Sequence, residues 1–276
     1  MANPHRTAAP AHSARIVRTC EESALELIAE PNVQAVIYTP DPLPEWFTDL
    51  AGAVESGAFQ IPRTTLYDVT RSGIGNWLEA NLPSGEVAPE VRTALLEDIL
   101  ALPNRIAALA AVPRLQLRIF TGVPTTNCGF HVDTAPPAAP TLGLLRVYNG
   151  AGTAYVEPEN VAGIGDFYRY LSRRERLERD RAAAHRSHDE DQFVRLEAEI
   201  ARLDQERAFL KRADEVHVAP AGSIVAFRHL DVRLHWSEHA ESLAWIHCSP
   251  MQGRPRLVVN VAAGQVTRPA PSVSFH

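Results

Sequence analysis

The chain has 276 residues, 45% hydrophobic and 22% charged, which is the composition of a globular protein with one large domain or two small ones. Its formal charge of −6 excludes nucleic acid as the main partner, because phosphate binding needs a concentrated basic surface. Three widely spaced cysteines exclude a disulfide framework, and no stretch has the apolar run of a signal peptide or membrane span, so a cytoplasmic protein away from membranes is expected.

Residues 1–14, rich in Ala, Pro, His and Ser, read as a disordered tail. Residues 21–30 read as a short helix stopped by Pro31, and the β-branched run 33–39 as a strand. Residues 42–56 are helical by the spacing of Trp46, Phe47, Leu50 and Val54, and a short helix surrounds Trp77. Residues 89–111 form a longer amphipathic helix carrying Leu95, Ile99, Leu102 and Ile106, with Pro103 as a kink. Residues 15–112 are therefore expected to be a mainly helical scaffold without reactive clusters.

From residue 113 the period changes to that of strands. Residues 115–120 alternate, 142–148 are a continuous apolar strand, and Asn149-Gly150 is a turn signal that would return 152–156 as a hairpin partner. Residues 167–214 interrupt this pattern with an Arg/Glu-dense helical hairpin turning near 187–189. Its apolar stripe (Phe193, Leu196, Ile200, Leu203, Leu210) must be buried somewhere. The segment 170–212 is thus a lid, a decoration or a homodimer arm. Strands resume at 222–227, 243–248 and 256–261. The whole suggests an α+β protein: a double-stranded β-helix (jelly-roll, cupin-like) core over 113–276, buttressed by the helical N-terminal half.

Cys128-Gly-Phe-His-Val-Asp133 is the stretch that points to chemistry. In a strand, residues two apart share a face, so His131 and Asp133 aim an imidazole and a carboxylate at one point. A distant histidine would complete a 2-His-1-carboxylate set, which leaves positions open on a non-heme Fe(II). The choices are His229, His235, His239 and His247. His235 and His239 fall in a polar connection, whereas His247 sits inside an apolar strand nine residues before Arg256, and His229 is the reserve. A guanidinium there suits the far carboxylate of a metal-bound 2-oxo acid. Arg254 and Tyr148 are further candidate co-substrate contacts, and Cys128, Arg146 and Trp245 candidate neighbours of the metal. Cys248 should point away from His247 in a regular strand.

This order, H-x-D, a long gap, His, then Arg, resembles the Fe(II)/2-oxoglutarate oxygenases over the second half of the chain. Val258 stands where that pattern usually has Ser or Thr. A wider resemblance runs through Leu117-Arg118, the segment 128–133, Leu144-Leu145, Val147-Tyr148, the segment 150–153, the segment 247–250 and Arg256-Leu257. These strings look like domain-of-unknown-function family 1826, with departures at Gly143, Asn149 and Cys248, where that family would have arginine. The resemblances imply a 2-oxoglutarate-dependent Fe(II) oxygenase acting on a small molecule. Zinc is the alternative metal, in a non-catalytic zinc-homeostasis protein with Cys128 as a fourth ligand. A cupin-type enzyme without 2-oxoglutarate is the third reading.

Overall fold

A computed structural model describes residues 14–85, 87–124, 129–137, 139–234 and 244–264. The strands in chain order are β1 (Arg15–Thr19), β2 (Val33–Tyr38), β3 (Thr64–Val69), β4 (Leu115–Gly122), β5 (Thr134–Ala135), β6 (Leu142–Val147), β7 (Ala154–Tyr155), β8 (His217–Val218), β9 (Ile224–Arg228), β10 (Leu230–Asp231), β11 (His247–Cys248) and β12 (Arg256–Ala263). The helices are α1 (Trp46–Glu55), α2 (Arg71–Asn81), α3 (Pro89–Ala110), α4 (Ile164–Arg186) and α5 (Glu190–Glu206). The protein is a mixed α+β structure around a seven-stranded sheet ordered β1-β2-β9-β6-β12-β4-β3. Only the β1–β2 pair in it is parallel.

A second sheet, β11-β7-β8, is antiparallel, and His131 extends it by bridging to His247. The pair β5–β10 is parallel. Strand alternation then sorts the side chains into layers. On β4 and β12, Leu115, Leu117, Ile119, Leu257, Val259 and Val261 join the core under α1, α2 and α3. Val147, Val225, Phe227 and Val258 face inward, meeting Tyr155 and Trp245 from the second sheet's side. The outer face of that sheet (Phe130, Val132, Ala154, Val156, Cys248) is covered by Phe167, Tyr170, Leu171, Leu196, Ile200 and Leu203 of α4 and α5. The hairpin stripe is therefore buried within its own chain. Its turn falls at 187–189, where His188 takes a positive φ and Asp189 caps α5 by accepting from the Gln192 amide.

The N-terminal segment is less helical than its sequence suggests, since β1, β2 and β3 belong to the large sheet. β1 is a short edge strand, and β3 is half-exposed with Asp68 at positive φ, so neither carries a clean alternation. The hairpin expected at Asn149-Gly150 does not form either. Asn149 instead fastens to β12, donating to the Pro255 carbonyl and accepting from the Leu257 amide. The chain then crosses to the second sheet, where a Cβ on Gly152 would lie 1.7 Å from the Ala219 carbonyl oxygen. Residues 1–13 and 241–243 lie outside the described residues, as do His235, His239 and Cys128. Among the described residues, no helix is long and apolar enough to cross a membrane.

Candidate metal centre

The segment 130–133 alternates as a strand must: Phe130 and Val132 enter the core beneath the hairpin, so His131 and Asp133 face the opposite way. His131 and His247 sit directly opposite, exchanging both backbone hydrogen bonds (2.8 and 3.0 Å), and their rings lie 4.5 Å apart. The Nε2 atom of His131 is 3.6 Å from Asp133 Oδ1. One donor atom from each of His131, Asp133 and His247 lies within 4.8 Å of the others.

The ring orientations are fixed by the same two-residue rhythm. His131 Nδ1 is 2.8 Å from the Gly129 carbonyl oxygen and His247 Nδ1 is 3.0 Å from that of Trp245. A carbonyl can only accept, so each Nδ1 carries a proton, which leaves Nε2 as the nitrogen with a lone pair when the ring is neutral. Burial, followed by the neighbouring His131, pushes His247 down to about 4, with Asp133 opposing the shift, so the ring is neutral at pH 7. Burial would raise the Asp133 carboxyl, but His247, His131, His229 and Arg118 outweigh it and hold the acid below the usual carboxylate range. Two imidazoles whose outer nitrogens are tied to carbonyls, together with one carboxylate, are the donor set a divalent transition metal takes.

The surroundings separate the other candidates. The Trp245 ring stacks on His247 at 4.4 Å and 15°. Arg256 is buried, donating to the Ala151 carbonyl (3.0 Å) and Ser249 Oγ (2.9 Å). It shares the inner face of β12 with Val258 and Asn260. Arg254 is instead at the surface, paired with Glu55 at 2.6 Å. Arg146 and Tyr148 both face α3: Arg146 Nε is 3.0 Å and Tyr148 Oη 2.6 Å from Asp98 Oδ2, across the sheet from His131. Cys248 joins the core beneath the hairpin, away from His247.

Sequence reasoning missed Asn260 and Arg118 here and held His229 only as a reserve ligand. Asn260 donates to Asp133 Oδ2 at 3.4 Å, and Arg118 and His229 line a small pocket beside Asp133. The available signal was strand phase, since Arg118 and Asn260 occupy the positions between core residues on β4 and β12. The placement of Tyr148 has a direct consequence. Tyr148→Phe is expected to lower stability by about 1 kcal/mol through the lost Asp98 contact, with divalent-metal affinity unchanged, as read by urea denaturation and Mn(II) titration.

A family model described as a protein of unknown function, DUF1826, matches residues 19–260. The chain belongs to the DUF1826 family. No curated protein matches it. Among solved structures, it is similar to the rice dioxygenase for auxin oxidation, at 12% identity and TM-score 0.40, covering 91% of this chain and 82% of that one. It is also similar to a Pseudomonas putida prolyl-4-hydroxylase, at 11% identity and TM-score 0.35, covering 84% of this chain and 92% of that one. A third is the dioxygenase for auxin oxidation 1 of Arabidopsis thaliana in complex with 2-oxoglutarate, at 10% and 0.40, covering 91% and 93%. Likenesses this distant assign this DUF1826 member neither ligand nor activity.

Proposed function

We propose that this protein is a mononuclear non-heme Fe(II) oxygenase that uses 2-oxoglutarate and acts on a small molecule. The observation that carries the reading is the convergence of two Nδ1-protonated imidazoles and one carboxylate on a single inward-facing point. The strand order supports it. In a double-stranded β-helix, two four-stranded antiparallel sheets face each other, and here β4-β12-β6-β9 faces the series His131, β11, β7, β8.

In this reading His131, Asp133 and His247 would hold the metal. Bound Fe(II) with 2-oxoglutarate would supply the activation of O2. Asn260 orients the Asp133 carboxylate, the Gly129 and Trp245 carbonyls hold the imidazole tautomers, and Trp245, Phe227 and Val258 keep water from the interior. Arg256, on the inner face of β12, is the group for the far carboxylate of the co-substrate.

The test combines anaerobic metal titration with turnover of 2-oxoglutarate to succinate. Wild type is expected to bind one Fe(II) or Mn(II) and His247→Ala none. Arg256→Ala is expected to keep metal affinity and to lose roughly a hundredfold in 2-oxoglutarate affinity, the scale of a charge-assisted bidentate contact worth a few kcal/mol. A protein that copurifies with zinc and binds no 2-oxoglutarate would be a zinc-binding protein instead.

A further inference from the structure

The pocket beside Asp133 is lined by Gln116, Arg118, Asp133, Thr134, His229 and Asn260 together with Ala262, and encloses about 120 Å³. That volume suits one small polar group. Two of its polar groups lack a hydrogen-bond partner among the described residues. His229 is only 7% exposed, and its Nε2 is buried without a hydrogen-bond partner. The Arg118 guanidinium, half-buried on β4, makes no hydrogen bond or ion pair with any described residue, and its charge is felt by Asp133 and His229. Leaving buried polar groups unpaired is costly, and native structures do so where a ligand completes the bonding.

We propose that this pocket binds the carboxylate of the small-molecule substrate, with Arg118 as its charged partner and His229 and Gln116 as flanking donors. The inference rests on the metal reading above for the role of the site, but the groups it assigns to the carboxylate, Arg118 and His229, are not among the proposed ligands. A guanidinium offers two parallel N–H donors to a carboxylate, and a pocket this small around it admits a carboxylate more readily than a phosphate. The Asp133 charge would oppose a second anion in the metal-free protein. A divalent cation on Asp133 removes that opposition, so carboxylate and metal should each strengthen the other's binding.

Acetate is the probe, titrated into the full chain with and without Mn(II), beside separate titrations of Mn(II) and of 2-oxoglutarate. Wild type is expected to bind acetate more tightly with Mn(II) present. Arg118→Gln should weaken acetate binding at least tenfold with Mn(II) affinity within about threefold, while Arg118→Lys should recover part of the loss and report that the sheet is intact. Acetate and 2-oxoglutarate binding together places the carboxylate on the substrate; mutual displacement, with Arg118→Gln weakening both, assigns the pocket to the far carboxylate of the co-substrate. A wild type that binds acetate but no Mn(II) would defeat the oxygenase reading and leave the pocket standing. No acetate binding in either form, or an Arg118→Gln effect that only follows a loss of Mn(II) affinity, overturns the inference.

Discussion

Asp204→Ala is expected to lower the stability of the protein by about 3 kcal/mol and to weaken metal binding at a site it does not touch. Asp204 is 2% exposed and sits between α4 and α5, receiving Arg174 Nε at 2.9 and 3.1 Å on its two oxygens and Tyr170 Oη at 2.6 Å. Removing one member of a buried ion pair costs about 3–5 kcal/mol, because the partner charge stays buried. The low end applies here because Glu178 still faces Arg174 at 3.2 Å. The same network reaches the segment that carries the proposed ligand His131. Tyr170 Oη accepts from the Phe130 amide at 3.1 Å, one residue before His131. Losing its acceptor frees the tyrosine to rotate and releases that tether. Urea denaturation would read the first effect and Mn(II) titration the second, and Asp204→Asn, which keeps an acceptor, should fall between mutant and wild type. A change under about 1 kcal/mol with full metal affinity would make the hairpin an appendage. Removing 170–212 would then leave a folded core, as the sequence pattern alone suggests.

That contrast marks where the sequence stops being informative. The stripe on α5 was legible because helical periodicity is local, but which surface it covers depends on long-range packing. His131 and Asp133 were legible for the same reason, since a strand places residues two apart on one face whatever the fold. His247 stood out as an imidazole inside an apolar run. Arg146 and Tyr148 were misread because residues 142–148 are buried on both faces, so period two cannot say which face meets His131 and Asp133. Arg118 had the opposite problem. On an alternating strand it looks like a solvent-facing residue, and only the second sheet makes that face an interior. Asn149-Gly150 had the composition of a tight hairpin, yet tertiary bonds from Asn149 to β12 override the local turn preference.

Gly129→Ala should produce the largest loss of metal binding of any substitution outside the three proposed ligands. An ideal Cβ there would lie 2.1 Å from Arg174 Nε and 2.6 Å from Tyr170 Oη, distances no real Cβ keeps. Arg174 cannot simply swing away, because its Nε is held by Asp204 beneath the surface. Either the hairpin network breaks or the strand shifts inward. Both routes carry His131 with them, since its ring is positioned by the Gly129 carbonyl itself. Overpacking of this kind costs about 1–3 kcal/mol, and a donor displaced by a fraction of an ångström lowers metal affinity at least tenfold. Gly165→Ala is the matched control. It lies in the first turn of α4, where the added methyl meets only Arg169 Nη1 at 3.8 Å, so stability should rise by about 0.5–1 kcal/mol with metal affinity unchanged. Full Mn(II) affinity in Gly129→Ala would mean that the strand yields without moving His131. The hairpin would then have no part in positioning the site.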